Sequence, residues 1–177
     1  MLIRETSRQL TWLLLTKRPE NLLRLVPEDI LLQSWIGTTV EDQRRAEERI
    51  PRLLATPASV RFVSCEPLLE AVSLASWLGS EQISWVIVGG ESGGHARPFE
   101  VRWARILLQQ CRDAGVPFFM KQLGSNVQHP NSDAWTRDPV RIEHQGTAPY
   151  HRVLLCARAG ENPHEWPEDL RVREWPQ

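Results

Sequence analysis

Cysteine is scarce: the 177 residues hold three, Cys65, Cys111 and Cys156, odd in number and far apart. That excludes a disulfide framework and any paired-cysteine metal knuckle, and it suits a reducing compartment. Long apolar runs are missing as well; none approaches the ~20 residues needed to span a bilayer. The start, MLIRETSRQL, has no signal-peptide apolar core, so the expectation is a cytoplasmic protein with no membrane partner. Nor is there an excess of one charge. Twenty-one Lys and Arg against twenty-two Asp and Glu give a formal charge of −1, so no global field points to nucleic acid or an anionic surface, although a local basic patch stays open.

What the chain does have is one unit written five times, a short apolar strand whose last residues turn abruptly polar, charged or Gly-rich. These are Thr11–Arg18 (TWLLLTKR), Ser34–Glu41 (SWIGTTVE), Arg61–Pro67 (RFVSCEP), Trp85–Ser92 (WVIVGGES) and Pro117–Gln122 (PFFMKQ). In α/β proteins ligands sit at the carboxyl ends of parallel strands, so the five switches aim polar groups at one place. The intervening segments have helical punctuation. Met1–Gln9 reads as the end of a helix feeding the first strand, and Pro19 suits a first helical turn ahead of Leu22, Leu23 and Leu25. Val40–Leu54 is the clearest helix, with Thr38 or Thr39 as its cap and Ala46, Ile50, Leu53 and Leu54 on one stripe. Its charged remainder, EDQRRAEER, reads as a solvated face. Glu100–Ala114 is again amphipathic, and Gly115 stops it.

Strict alternation of strand and helix implies an α/β fold with parallel pairing and right-handed crossovers. No dinucleotide fingerprint follows the first strand, and nearly every strand end carries chemistry. Both points favour a partial (β/α) TIM-like barrel arc of about five parallel strands over an open doubly wound sheet. Residues 1–124 form this barrel part. Residues 125–177 read as a loop-rich, irregular extension packed on the same domain: Ser125–Arg152 has no sustained period, Arg152–Cys156 suits a short edge strand or helix start, and the tail suits an extended strap pinned by Trp166 and Trp175.

The strand ends supply the candidate site. Lys17 and Arg18 suit an anionic substrate group, or a salt bridge to Glu41 or Glu66. Thr38 and Thr39 are cofactor contacts or helix caps. Glu66, between Cys65 and Pro67, is a candidate general base or ligand anchor; Cys65 has no nearby His to activate it. In Gly89-Gly90-Glu91-Ser92-Gly93-Gly94, four glycines in six residues let backbone N–H groups approach a ligand. Gly89, Gly90 and Ser92 are therefore candidate cofactor contacts and Glu91 a candidate acid or base. Arg97, Lys121 and Gln122 complete the set, Lys121 as a catalytic candidate and the other two as substrate contacts.

Taken in order, LTWLLLTKRP, WIGTTVED, RFVSCEPLL, WVIVGGESGGHARP, VPFFMKQLG and EWPEDLRVREWP resemble the phage- and prophage-associated gene-product thirty-seven/sixty-eight family, a domain of unknown function related to radical-SAM barrels. The resemblance covers essentially the whole chain. It implies a partial (β/α) barrel of unknown reaction, in a setting where the full-length family uses S-adenosylmethionine and a [4Fe–4S] cluster. Members carry, ahead of the region present here, a cysteine-cluster segment that this sequence lacks. The expectation is thus an N-terminally truncated form with no metal or cofactor of its own, whose first strand offers an edge to a missing segment or a second copy. In that setting Lys17, Arg18 and Lys121 hold anionic groups, while Glu66 and Glu91 hold an amine or act as acid and base. Two other functions stay open: a self-contained barrel hydrolase using Glu66 and Glu91 as paired carboxylates, and a non-catalytic binding or scaffold remnant.

Overall fold

A computed structural model describes residues 2–79, 81–130, 141–144 and 150–177. In chain order the elements are α1 (Leu2–Thr6), β1 (Trp12–Thr16), α2 (Leu22–Leu25), α3 (Glu28–Leu32), β2 (Ser34–Thr39), α4 (Gln43–Leu54), β3 (Val60–Cys65), β4 (Trp85–Gly89), β5 (Phe99–Glu100), α5 (Val101–Ala114), β6 (Phe118–Gln122), β7 (Val127–Pro130), β8 (Arg141–His144) and β9 (Tyr150–Leu154). All five polar-switch segments are strands, and they form one parallel sheet in the order β1-β2-β3-β4-β6. The order runs one way with no reversal. That is the winding of a barrel arc, whereas a doubly wound sheet requires a switch point.

Each face of this sheet has its own core. On one face Ile36, Val63, Val86, Val88 and Phe118 pack against Ala46, Ile50 and Leu53 of α4 and Ala104, Leu107 and Cys111 of α5. Side chains alternate along a strand, so the other face carries Trp35, Phe62, Trp85 and Phe119. Their rings meet around Trp85 with centroids 5.6–5.9 Å apart, and Trp175 from the tail adds a ring at 4.8 Å. The strap expected at the C-terminus is present, pinned by the indole of Trp166, whose Nε1 donates to Gly160 O at 2.8 Å.

Two expectations need correction. Ser125–Arg152 is not a loop throughout: β7, β9 and β8 lie in a second sheet of order β5-β7-β9-β8, and β9 is an interior strand where an edge strand or helix start was expected. Residues 131–140 and 145–149 of that expected loop lie outside the described residues. The cap of α4 is Asp42, whose carboxylate accepts from Arg45 N at 2.7 Å. Thr38 and Thr39 are still inside the strand and buried. Asp42 wins because an Asp at the cap satisfies a free first-turn N–H and also favours the helix dipole. Among the described residues no helix is long and apolar enough to cross a membrane.

Candidate functional site

Strand register assembles the site. Thr16 stands beside Thr38, Thr39 beside Ser64, Cys65 beside Val88 and Gly89 beside Gln122, so the residues just beyond these positions share one rim at the carboxyl ends of the strands. Lys17, Glu41, Glu66, Glu91 and Lys121 all leave the sheet there.

The charges on this rim are paired. Lys17 Nζ lies 2.6 Å from Glu41 Oε1, and Arg49 Nη1 lies 2.6 Å from Glu41 Oε2. Arg49 Nη1 also donates to Thr39 O at 2.6 Å, tying α4 to the end of β2. Glu41 is only 12% exposed. Burial pushes its carboxyl up, but the hydrogen bond from Lys17 and the charge of Arg49 outweigh it and leave Glu41 below the usual carboxylate range. Lys121 Nζ donates to both oxygens of Glu66 at 2.9 Å. Glu66 is mostly covered while Lys121 is half exposed, at 19% and 53%. Beyond β4, Arg97 grips Glu91 by a two-pronged contact at 2.8 and 2.9 Å, and its backbone N–H adds a third at 2.9 Å. The guanidinium and this N–H hold Glu91 down to about 2.

The remaining candidates are structural at close range. The Thr38 hydroxyl donates to Thr16 O at 2.9 Å. Gln122 Nε2 donates to Gly90 O at 2.9 Å. Gly90 is needed for close approach within the chain, since a Cβ there would stand 2.1 Å from Leu123 O. Gly124 and Gly160 continue the same stack: a Cβ on Gly124 would lie 2.6 Å from Glu91 O, and one on Gly160 2.6 Å from Gly124 O. Gly89 backs the Glu66 side chain, Arg18 is exposed at the margin, and Ser92 opens onto a neighbouring cleft.

Arg49 is the rim residue that sequence reasoning missed, having been assigned to the solvated face of α4. The signal was its position three residues after Ala46 and beside Ile50, both on the buried stripe. The cysteines do not make a cluster site. Cys65 and Cys111 are buried, and burial pushes both thiols up, Cys111 to about 12. Cys156 is exposed elsewhere, with its thiol raised by a hydrogen bond with Glu165. Three thiolates converging on iron do not fit that arrangement, and no group of three metal-ligating side chains occurs among the described residues.

Fold and rim together define a singly wound parallel α/β domain with ion-paired strand ends. The chain belongs to the family described as Protein of unknown function (DUF5131), whose model matches residues 1–164. No curated protein and no solved structure matches it.

Proposed function

We propose that the strand-end rim binds a small zwitterionic ligand, in a radical-SAM-like barrel of phage or prophage setting. The observation that carries this reading is that the Glu66–Lys121 pair, which reaches from the end of β3 to β6 across the end of β4, shares one rim with Lys17–Glu41 and Glu91–Arg97. A ligand bearing an ammonium and a carboxylate exchanges cleanly with such a pair: the ammonium takes Glu66 and the carboxylate takes Lys121, so neither protein charge is left unpaired. Lys17, Arg18 and Arg97 then supply further cationic contacts, and Gly89, without a Cβ, leaves space for the Glu66 side chain itself. S-adenosylmethionine, which the sequence resemblance suggests, carries such an amino-acid end. In this reading any iron–sulfur cluster is held by thiolates of a further segment meeting β1, not by Cys65, Cys111 or Cys156.

The paired-carboxylate hydrolase is less well supported. A catalytic acid must keep its proton near neutral pH, and Arg97 holds Glu91 ionised down to about 2, which removes Glu91 from the acid role of such a pair. The test is calorimetric titration of the full chain with S-adenosylmethionine. Saturable binding that weakens about tenfold in E66Q, the usual loss for one charge-assisted hydrogen bond, is expected. A folded chain that does not bind, or that binds equally well as E66Q and K121Q, overturns the reading.

A further inference from the structure

Beside the rim, between the loops after β4 and β6 and the outer face of the second sheet, lies a cleft of about 690 Å³. It extends past Ser92 and depends on none of the three rim ion pairs. One wall is Gly93 and Gly94, a second is Ser125 and Asn126, and the floor holds Gln128 and Arg152, which face each other across the β7–β9 register. Arg158 closes the far side. No carboxylate lines the cleft among the described side chains. On the side of β9 away from Gln128, the register sets Glu143 of β8 beside Arg152.

The frame is built before any ligand arrives. Ser125 Oγ accepts from Gly93 N at 3.0 Å and donates to Arg158 O, bolting three separate loops together. Asn126 Nδ2 donates to Ala96 O at 3.0 Å, fixing the glycine-rich loop from its other end. Arg152, half-buried, has an Nε that is covered by protein and has no hydrogen-bond partner. A buried guanidinium N–H left unpaired is costly, and a ligand oxygen entering the cleft would relieve that cost. Two guanidinium groups, amide and hydroxyl side chains, and a glycine-rich backbone are the donor set that suits a phosphate, with its several acceptor oxygens. The volume is in the range of small-molecule sites and far exceeds what a lone oxyanion fills.

We infer that this cleft binds the phosphate group of a small-molecule phosphate ester such as a nucleotide. Arg152 and Arg158 contact the phosphate, and Asn126 and Gln128 contact the organic part. The experiment follows backbone amides of the full chain by two-dimensional NMR while inorganic phosphate, adenosine monophosphate and, at matched ionic strength, sodium chloride are added in separate arms. Saturable shifts at Gly93, Gly94, Ser125 and Asn126 are expected with both phosphates, tighter for the nucleotide, and absent with chloride. R152Q should weaken nucleotide binding about tenfold, the loss of one charge-assisted contact, with R152K in between. Arg158 is exposed, so R158Q carries the test even where R152Q fails to fold. Equal shifts with chloride, or wild-type nucleotide affinity in R158Q and folded R152Q, overturn the inference. Binding of a single-stranded oligonucleotide without binding of adenosine monophosphate overturns it too, in favour of a nucleic-acid surface.

Discussion

At the β6 edge of the five-stranded sheet, the tail runs alongside in antiparallel sense: Met120 N donates to Val172 O at 2.8 Å and Glu174 N to Phe118 O at 2.9 Å. At the β1 edge, among the described residues, no strand pairs on the outer side. The side chains follow the backbone. Among the described residues, seven of the nine exposed large apolar ones, Leu2, Leu10, Leu13, Leu15, Leu23, Leu25 and Leu32, lie between residues 2 and 32. Parallel sheets are ordinarily covered on both faces and closed at their edges. One end of this sheet is therefore finished by the chain itself, while the other presents a pairing template and an apolar surface together.

The comparison breaks most readily at Trp85. This residue is buried among four rings, and its Nε1 donates to Glu174 O at 2.9 Å, so it supports the finished edge. Trp85→Ala should cost about 3–5 kcal/mol in urea unfolding; a loss below ~1 kcal/mol would mean that the strap and the ring cluster do not support each other. Next in size is Arg49→Ala, expected to cost ~1–3 kcal/mol because Glu41 is left buried with one cation in place of two. Leu15→Lys, on the open edge, should change stability by no more than about 0.5 kcal/mol while reducing self-association in sedimentation. A cost approaching that of Trp85→Ala would show the β1 edge to be buried in solution.

The smallest expected effect is a proton equilibrium. Replacing Arg97 by Ala should let Glu91 rise from about 2 toward its ordinary 4.5, read by carboxyl carbon shifts across an acid titration. The sign follows from the depressed value: the stabilisation from Glu91 is present above pH 4.5 and is lost as pH falls through about 2. No inflection difference between wild type and variant would remove the Glu91–Arg97 pair from the rim.

The main sheet was readable because each strand announces itself twice, by an apolar run and by the polar switch ending it. The second sheet gives no such signal. β5 is two residues long, and β7 reads Val-Gln-His-Pro, which combines a turn-former with polar side chains. The strand-end positions of Lys17, Glu66, Glu91 and Lys121 were equally legible, by count alone. Their pairing was legible only in part, since a salt bridge to Glu41 or Glu66 was one of the two readings of Lys17 while the partner of Lys121 carried no signal. Lys17 meets Glu41 across 24 residues and Lys121 meets Glu66 across 55, partnerships fixed by register and not by spacing. Arg49 was hidden for a related reason: on a helix rich in exposed charge, one inward cation differs from the rest only in phase.

The glycine stack at positions 90, 124 and 160 has a mechanical meaning. Three loops are laminated backbone on backbone, with no side chain between the layers to compress or rotate. Gly160, in the tail-side loop close to Arg158, stacks on Gly124, and Gly124 in turn stacks on the carbonyl of Glu91. The loops that border the cleft and the rim thus meet through backbone alone, and a side chain added at any of the three glycines would have to part the layers.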